Sequence, residues 1–251
     1  MTAGAPAPPA GAPTAAAADR APRIVPVRVA VGALLRKELG LELRAPQAVP
    51  AMVLFSVTTL VVFHFALQRG QVSGDLAAGV LWVTLLFAAM LATARLFVAD
   101  HEEGGLDGFL LAPTDRTALL LAKAVSLLAF LVVLELVAVP AYVVLLLGPA
   151  PGLVAFAQLA GVLLLADVGI ALTGTLVGAI AVQTRARDLI VPLLALPLLM
   201  PVVIAGARAT TPLVLEAAGR GVEMRWLVLL ALYDALFGLL AYALFEYLIE
   251  D

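Results

Sequence analysis

The chain contains no cysteine. Disulfides, thiolate metal sites and thiol nucleophiles are therefore excluded from its chemistry. Charge is also scarce: 13% of the 251 residues are Asp, Glu, Lys or Arg, against roughly a quarter in a soluble domain. So little polar surface cannot coat a globule in water. With 63% hydrophobic residues and a mean hydropathy of +1.10, lipid must be the main solvent. A net charge of −3 argues against nucleic acid as a partner. Lysine occurs only at Lys37 and Lys123, and neither follows a glycine. The phosphate cradle G-x-x-x-x-G-K-[ST] is thus missing, and this chain cannot itself be a P-loop ATPase. The H-E-x-x-H and G-x-S-x-G patterns are missing as well, so the sequence points to no catalytic residue, no metal site and no firmly bound cofactor.

What is present begins with an Ala/Pro-rich stretch over residues 1–26 that holds almost no large apolar residues. Such a segment cannot bury enough surface to offset its ordering entropy and reads as a disordered tail. Lacking a continuous apolar stretch, it does not read as a signal peptide. Residues 27–45 form a second region and residues 46–251 a membrane domain. A span needs about 20 mainly apolar residues. Six stretches qualify: Ala48–Leu67, Leu76–Val98, Ala118–Leu147, Leu153–Val182, Leu189–Ala207 and Trp226–Ile249. Each must be a helix, because lipid offers backbone groups no other partner. The apolar runs are continuous rather than alternating, which disfavours a β-barrel. Gly148-Pro149-Ala150-Pro151-Gly152 reads as a tight turn joining the third and fourth spans. The predicted fold is an all-α membrane protein of six transmembrane helices.

Lys and Arg near span ends set the orientation. Arg36, Lys37, Arg44, Arg95, Arg116, Lys123, Arg185 and Arg187 fall on one side, and Arg69, Arg208, Arg220 and Arg225 on the other. The bias places both termini in the cytoplasm. Ahead of the first span, Val27 to Arg44 reads as an amphipathic helix, with Val31, Leu35, Leu39 and Leu43 at four-residue spacing and Arg36, Lys37 and Arg44 off that stripe. Pro46 and Pro50 favour a break, hence a separate interfacial helix rather than an extension of the first span. On the outer side, Thr211 to about Gly219 reads as a short helix, with Leu213, Leu215 and Ala218 resting on the membrane.

The connection between the second and third spans is Asp100-His101-Glu102-Glu103-Gly104-Gly105-Leu106-Asp107-Gly108-Phe109-Leu110-Leu111-Ala112-Pro113-Thr114-Asp115-Arg116. An acidic pair leads into Gly104-Gly105. A short apolar helix follows over Leu106 to Leu111, and Pro113 stops it. Thr114 or Asp115 then caps the third span. Exposed Leu106, Phe109 and Leu110 need a cover, and either a partner protein or the bilayer surface supplies it. The residues alone leave both open.

The interfacial helix, the six spans and a loop similar to E-x-G-x-L-[DE]-x-L-L-x-[SA]-P resemble the ABC-2 type permease fold. The longer match is closer to the CcmB, or heme exporter protein B, family. It is carried by Gly79-Val80-Leu81-Trp82, Arg95-Leu96-Phe97, Glu102 to Pro113, Asp115-Arg116, Lys123 and Glu135-Leu136, and it covers roughly Leu34 to the C-terminus. The departures are the long tail and the Gly104-Gly105 pair, where the family often has a polar residue beside a single Gly. The resemblance implies a permease subunit of an ABC transporter for heme export and cytochrome c maturation in the bacterial inner membrane. It implies a homodimer, a separate CcmA-like ATPase that holds the ATP, and CcmC-, CcmD- and CcmE-like heme-handling proteins as partners. Heme would be the handled ligand. Glu102, Glu103, Gly104, Leu106, Asp107, Phe109, Leu110, Leu111 and Pro113 would then be the coupling segment seated in the ATPase.

Three acids fall mid-span: Glu135, Asp167 and Asp234. A charge at the bilayer centre costs at least about 2.5–3.5 kcal/mol on insertion scales. The acids either line a path or interface, or sit as neutral acids bonded to Ser, Thr or backbone of neighbouring spans. No cation lies at comparable depth. His64, near the outer end of the first span, is a weak candidate for heme contact, since heme iron takes His axial ligands; the commoner role is a hydrogen-bonded structural residue. His101 reads as a solvated neighbour of the acidic pair. In the fourth span, Gly161, Gly169, Gly174 and Gly178 include a small-xxx-small step for close helix packing. Pro192, Pro197 and Pro201 predict a kinked fifth span. Two other functions compete: an ABC-2 permease for a drug, lipid or glycan, and a proton-coupled secondary transporter using the three acids. The second would leave the loop from Glu102 to Pro113 idle, and no internal repeat supports it.

Overall fold

The apolar runs become helices in a computed structural model that describes residues 26–67, 72–97, 116–148, 151–182, 184, 187–215 and 221–248. In chain order these are α1 (Val27–Arg44), α2 (Ala48–Leu67), α3 (Gly74–Arg95), α4 (Arg116–Tyr142), α5 (Leu153–Val182), α6 (Arg187–Thr210) and α7 (Met224–Leu248). A π-helical turn, Val143–Leu147, prolongs α4, and a 3-10 turn, Thr211–Leu213, follows α6. Among the described residues there is no strand. Helices α2 to α7 supply six stretches long and apolar enough to cross a membrane. The chain is a multi-pass membrane protein. Residues 1–25 of the Ala/Pro stretch lie outside the described residues.

Helix α3 is the most enclosed span, while α2 and α7 are the least. Its composition explains this. Ala77, Ala78, Ala88, Ala89 and Ala92 are buried along it, and small side chains let neighbouring backbones approach. Trp82 is the large exception: it is 1% exposed and donates its indole N–H to Thr210 Oγ1 at 3.0 Å. The facing position on α6 is Gly206, where a Cβ would meet the indole ring at 2.3 Å. The predicted glycine step of α5 behaves likewise. A Cβ at Gly174 would meet Leu127 and Thr93 at 2.8 Å, and one at Gly178 would meet Phe97 at 3.0 Å. These two glycines let α5 lie against both α3 and α4.

Four hydroxyls within the spans are satisfied on their own helices. Thr84, Thr93, Ser126 and Thr175 donate to the carbonyls of Val80, Ala89, Ala122 and Ala171, one turn back. Helix α6 runs unbroken through Pro192, Pro197 and Pro201. Tyr233 of α7 donates its hydroxyl to the Leu198 carbonyl at 2.9 Å, so a neighbouring span serves backbone beside the proline sites.

The break between α1 and α2 falls where Pro46 and Pro50 predict it. Glu42, near the end of α1, accepts the N–H groups of Gln47 at 3.1 Å and Val49 at 2.8 Å. It thereby caps α2, and Pro50 sits in the first turn, where its missing N–H costs nothing. Leu43 of the apolar stripe is 85% exposed. The packed face passes through Ala30, Leu34 and Leu39 and includes Glu38, because α1 lies against α4. After α6, Leu213 packs into the core instead of resting on the membrane. The described helical piece there is the Thr211–Leu213 turn, held by a Thr211 hydroxyl bond to Asp75 at 2.9 Å.

Gly206→Val is expected to lower the thermal stability of the detergent-solubilised chain by about 1–3 kcal/mol through overpacking against Trp82. Gly161→Ala, which faces open space, should leave the melting midpoint unchanged in the same assay.

Candidate functional site

Two places in the bundle carry chemistry beyond packing. The first is the end where α1, α3 and α4 meet. Lys123, two turns into α4, is 1% exposed. Its Nζ donates to Glu38 Oε1 of α1 at 2.9 Å and to the Leu96 carbonyl, just past the end of α3, at 2.7 Å. The Phe97 ring lies 5.1 Å away, within cation–π reach. Removing one member of such a buried pair costs on the order of 3–5 kcal/mol, because the other charge is left uncompensated. Leu96, Phe97 and Lys123 were separate marks in the sequence, and the fold makes them one junction. Glu38 was not singled out. The signal available was a lone lysine inside an apolar run, which requires a nearby acid but does not say which.

Residues 98–115 connect the ends of α3 and α4. Glu102, Glu103, Gly104, Leu106, Asp107, Phe109, Leu110, Leu111 and Pro113, like His101, lie outside the described residues.

The second place is a layer of acids. Gly174 against Leu127 sets the register of antiparallel α5 and α4, which carries Asp167 to the level of Leu134 and Glu135. Asp234 of α7 enters beside Gly169, where a Cβ would meet its Oδ1 at 2.5 Å. Glu135 Oε1, Asp167 Oδ2 and both Asp234 oxygens are buried and find no hydrogen-bond partner among the described residues. Of the two readings the sequence leaves open, bonding to Ser, Thr or backbone is not seen at these four oxygens. Thr173, nearest by type, bonds Tyr233 instead, at 2.8 Å. Tyr142 and Ser56, which sequence reasoning did not single out, also bury hydroxyls that find no partner among the described residues. A hydroxyl in an apolar run gives no sign of which way it will face.

His64 stands apart from both places. Its Nδ1 bonds the Leu145 carbonyl in the π-helical turn, and its ring stands edge-on to Phe65 at 5.2 Å. Leu145 and Leu146 lie in the last turn of this helix, where carbonyls have no partner further along it. His64 takes one, and the Val72 N–H takes that of Leu146 at 2.8 Å. A carbonyl only accepts, so Nδ1 carries the proton.

Six apolar spans, a helix held against one end, and acids with oxygens that find no partner among the described residues mark an all-α, multi-pass membrane protein. The family model described as "CcmB protein" matches residues 29–246, and the chain belongs to that family. It is 36% identical over 177 residues to heme exporter protein B of Rhodobacter capsulatus, covering 70% of this chain and 79% of that one. It is 33% identical over 210 residues to heme exporter protein B of Bradyrhizobium diazoefficiens, covering 83% and 93%. A third protein of that name, from Paracoccus denitrificans, is 34% identical over 182 residues, covering 70% and 80%.

His64→Ala is expected to lower the stability of the solubilised chain by about 1 kcal/mol, since the Leu145 carbonyl loses its donor. Thermal unfolding in detergent measures it. An unchanged midpoint would remove His64 from the structural account.

Proposed function

We propose that this chain is the membrane-embedded permease subunit of an ABC-type heme exporter serving cytochrome c maturation. The observation that carries the reading is the family match over nearly the whole bundle, residues 29–246, together with full-length relatives named heme exporter protein B. ATP is held by a separate CcmA-like ATPase, because the chain has no G-x-x-x-x-G-K-[ST] cradle. CcmC-, CcmD- and CcmE-like heme-handling proteins complete the assembly, and the permease acts as a homodimer. Heme is its cargo.

The protein lies in the bacterial inner membrane with both termini cytoplasmic. Arg28, Arg36, Lys37, Arg44 and Arg95 gather at the α1 end of the bundle, as the positive-inside rule requires of the cytoplasmic face. At the other end, Arg208 and Arg225 are paired with Asp75 and Glu223. The segment from Glu102 to Pro113 then emerges on the cytoplasmic side, where an ATPase works. Its apolar residues Leu106, Phe109, Leu110 and Leu111 seat in that partner. The acids Glu135, Asp167 and Asp234 serve transport rather than stability. Bare carboxyl oxygens inside a bundle weaken the fold, and such groups persist where function requires them.

Three outcomes test this. The cysteine-free background permits single-cysteine labelling: Thr184→Cys should react with a membrane-impermeant maleimide only after permeabilisation, and Ser73→Cys in intact spheroplasts. The reverse pattern would sink the orientation. Phe109→Asp or Leu110→Asp should abolish co-purification of an ATPase without loss of the chain from the membrane; retained ATPase would refute docking through this segment. Glu135→Gln should cut holocytochrome c yield about tenfold or more with insertion and melting midpoint intact. Normal yield would return Glu135 to a packing role.

A further inference from the structure

Lys123 does something at the α1 end that packing alone does not require. Its ammonium reaches Glu38 on α1 at 2.9 Å and the Leu96 carbonyl past the end of α3 at 2.7 Å, while its own backbone belongs to the first turns of α4. The two ends of the connection over residues 98–115 are thus joined to each other, and to α1, through one side chain. Exposure at Lys123 is 1% and at Glu38 13%, so water does not loosen the link. Behind it, α5 is seated tightly: a Cβ at Gly178 would meet the Phe97 ring at 3.0 Å.

An apolar pair of similar volume would hold these helices together as well or better, because burying two charges consumes most of what their attraction returns. Three directed donors on one ammonium provide fixed registry instead. Apolar contacts let helices slide by fractions of an ångström. A buried ion pair with a carbonyl bond resists such sliding, since each displacement exposes an unpaired charge.

We propose that Lys123 is a positioning residue for energy coupling. It locks α1, the end of α3 and the start of α4 into one body, so that force arriving at the 98–115 connection moves all three together. The inference rests on the reading that an ATPase acts at this face.

The test uses the whole complex in native membranes and a Lys123→Met/Glu38→Met double variant. That variant removes both charges at similar volume and is expected to fold, since apolar replacement of a buried pair is neutral or stabilising. Four quantities are read: melting midpoint, ATPase captured per chain, ATP hydrolysis by the captured complex, and holocytochrome c yield. The expected result is an unchanged or raised midpoint, full capture, continued hydrolysis and a yield lowered about tenfold, within the range of coupling between distant sites. Full capture with normal yield overturns the inference and leaves Lys123 structural. Loss of capture overturns it too, because Lys123 would then shape the docking surface rather than transmit force. If the unmodified chain captures no ATPase, the docking reading fails, and this inference with it. Should the double variant not accumulate, Glu38→Asp, which keeps both charges but shortens the reach to Lys123, is read the same way: capture with lowered yield at an unchanged midpoint supports the lock, and normal yield overturns it.

Discussion

Water is missing from the hydrocarbon core, so every polar group along six spans must find its partner within the protein or go without. The bundle is ordered by where that demand is met. Hydroxyls in α3, α4 and α5 meet it one turn back on their own helices. The carbonyls of Leu145 and Leu146, in the π-helical turn after α4, meet it through His64 and the Val72 N–H. Leu198, between two prolines of α6, is met from α7 by Tyr233. The bonds made by His64, Val72 and Tyr233 join different segments and fix them more narrowly than apolar contact could.

The demand is left open in one layer. Glu135, Asp167 and Asp234 bury oxygens for which the described residues offer no donor. Proteins seldom retain such groups without a reason, since a buried polar atom with no partner costs stability. The layer crosses three helices that approach closely because α5 carries glycine where side chains would otherwise intervene. Close approach and unpartnered acids are therefore parts of one arrangement: Gly169 makes the room that Asp234 occupies.

The opposite solution appears at the α1 end. There a charge is fully buried and fully paired, with Glu38, the Leu96 carbonyl and the Phe97 ring around Lys123. A pair of this kind contributes little net stability, yet it strongly penalises any change in relative position. On the proposal that a separate ATPase acts at this end, such rigidity would carry motion from the base of the bundle into its spans. The same chain thus holds one charged pair in place and leaves a layer of acids with oxygens that find no partner among the described residues, and the two lie at different depths.

Hydropathy by itself located all six spans, and residue chemistry located the α1–α2 break. These are local properties: about 20 apolar residues must become a helix in lipid, and Pro46 and Pro50 interrupt one wherever the chain goes. The spans end within a few residues of their predicted limits, and α5 coincides with its prediction. Family membership was legible for the same reason, since short runs such as Gly79 to Trp82 and Arg95 to Phe97 carry it in order along the chain. Partnership was not. Nothing in the chain order says that Lys123 takes Glu38, that Trp82 fills the space above Gly206, or that Leu43 turns away from the bundle while Leu213 turns into it. Those facts follow from how the helices are rotated and stacked. Rotation is set by the summed fit of many side chains across α1, α3, α4 and α5, which a linear pattern of apolar residues leaves undetermined whenever a helix is apolar on every face.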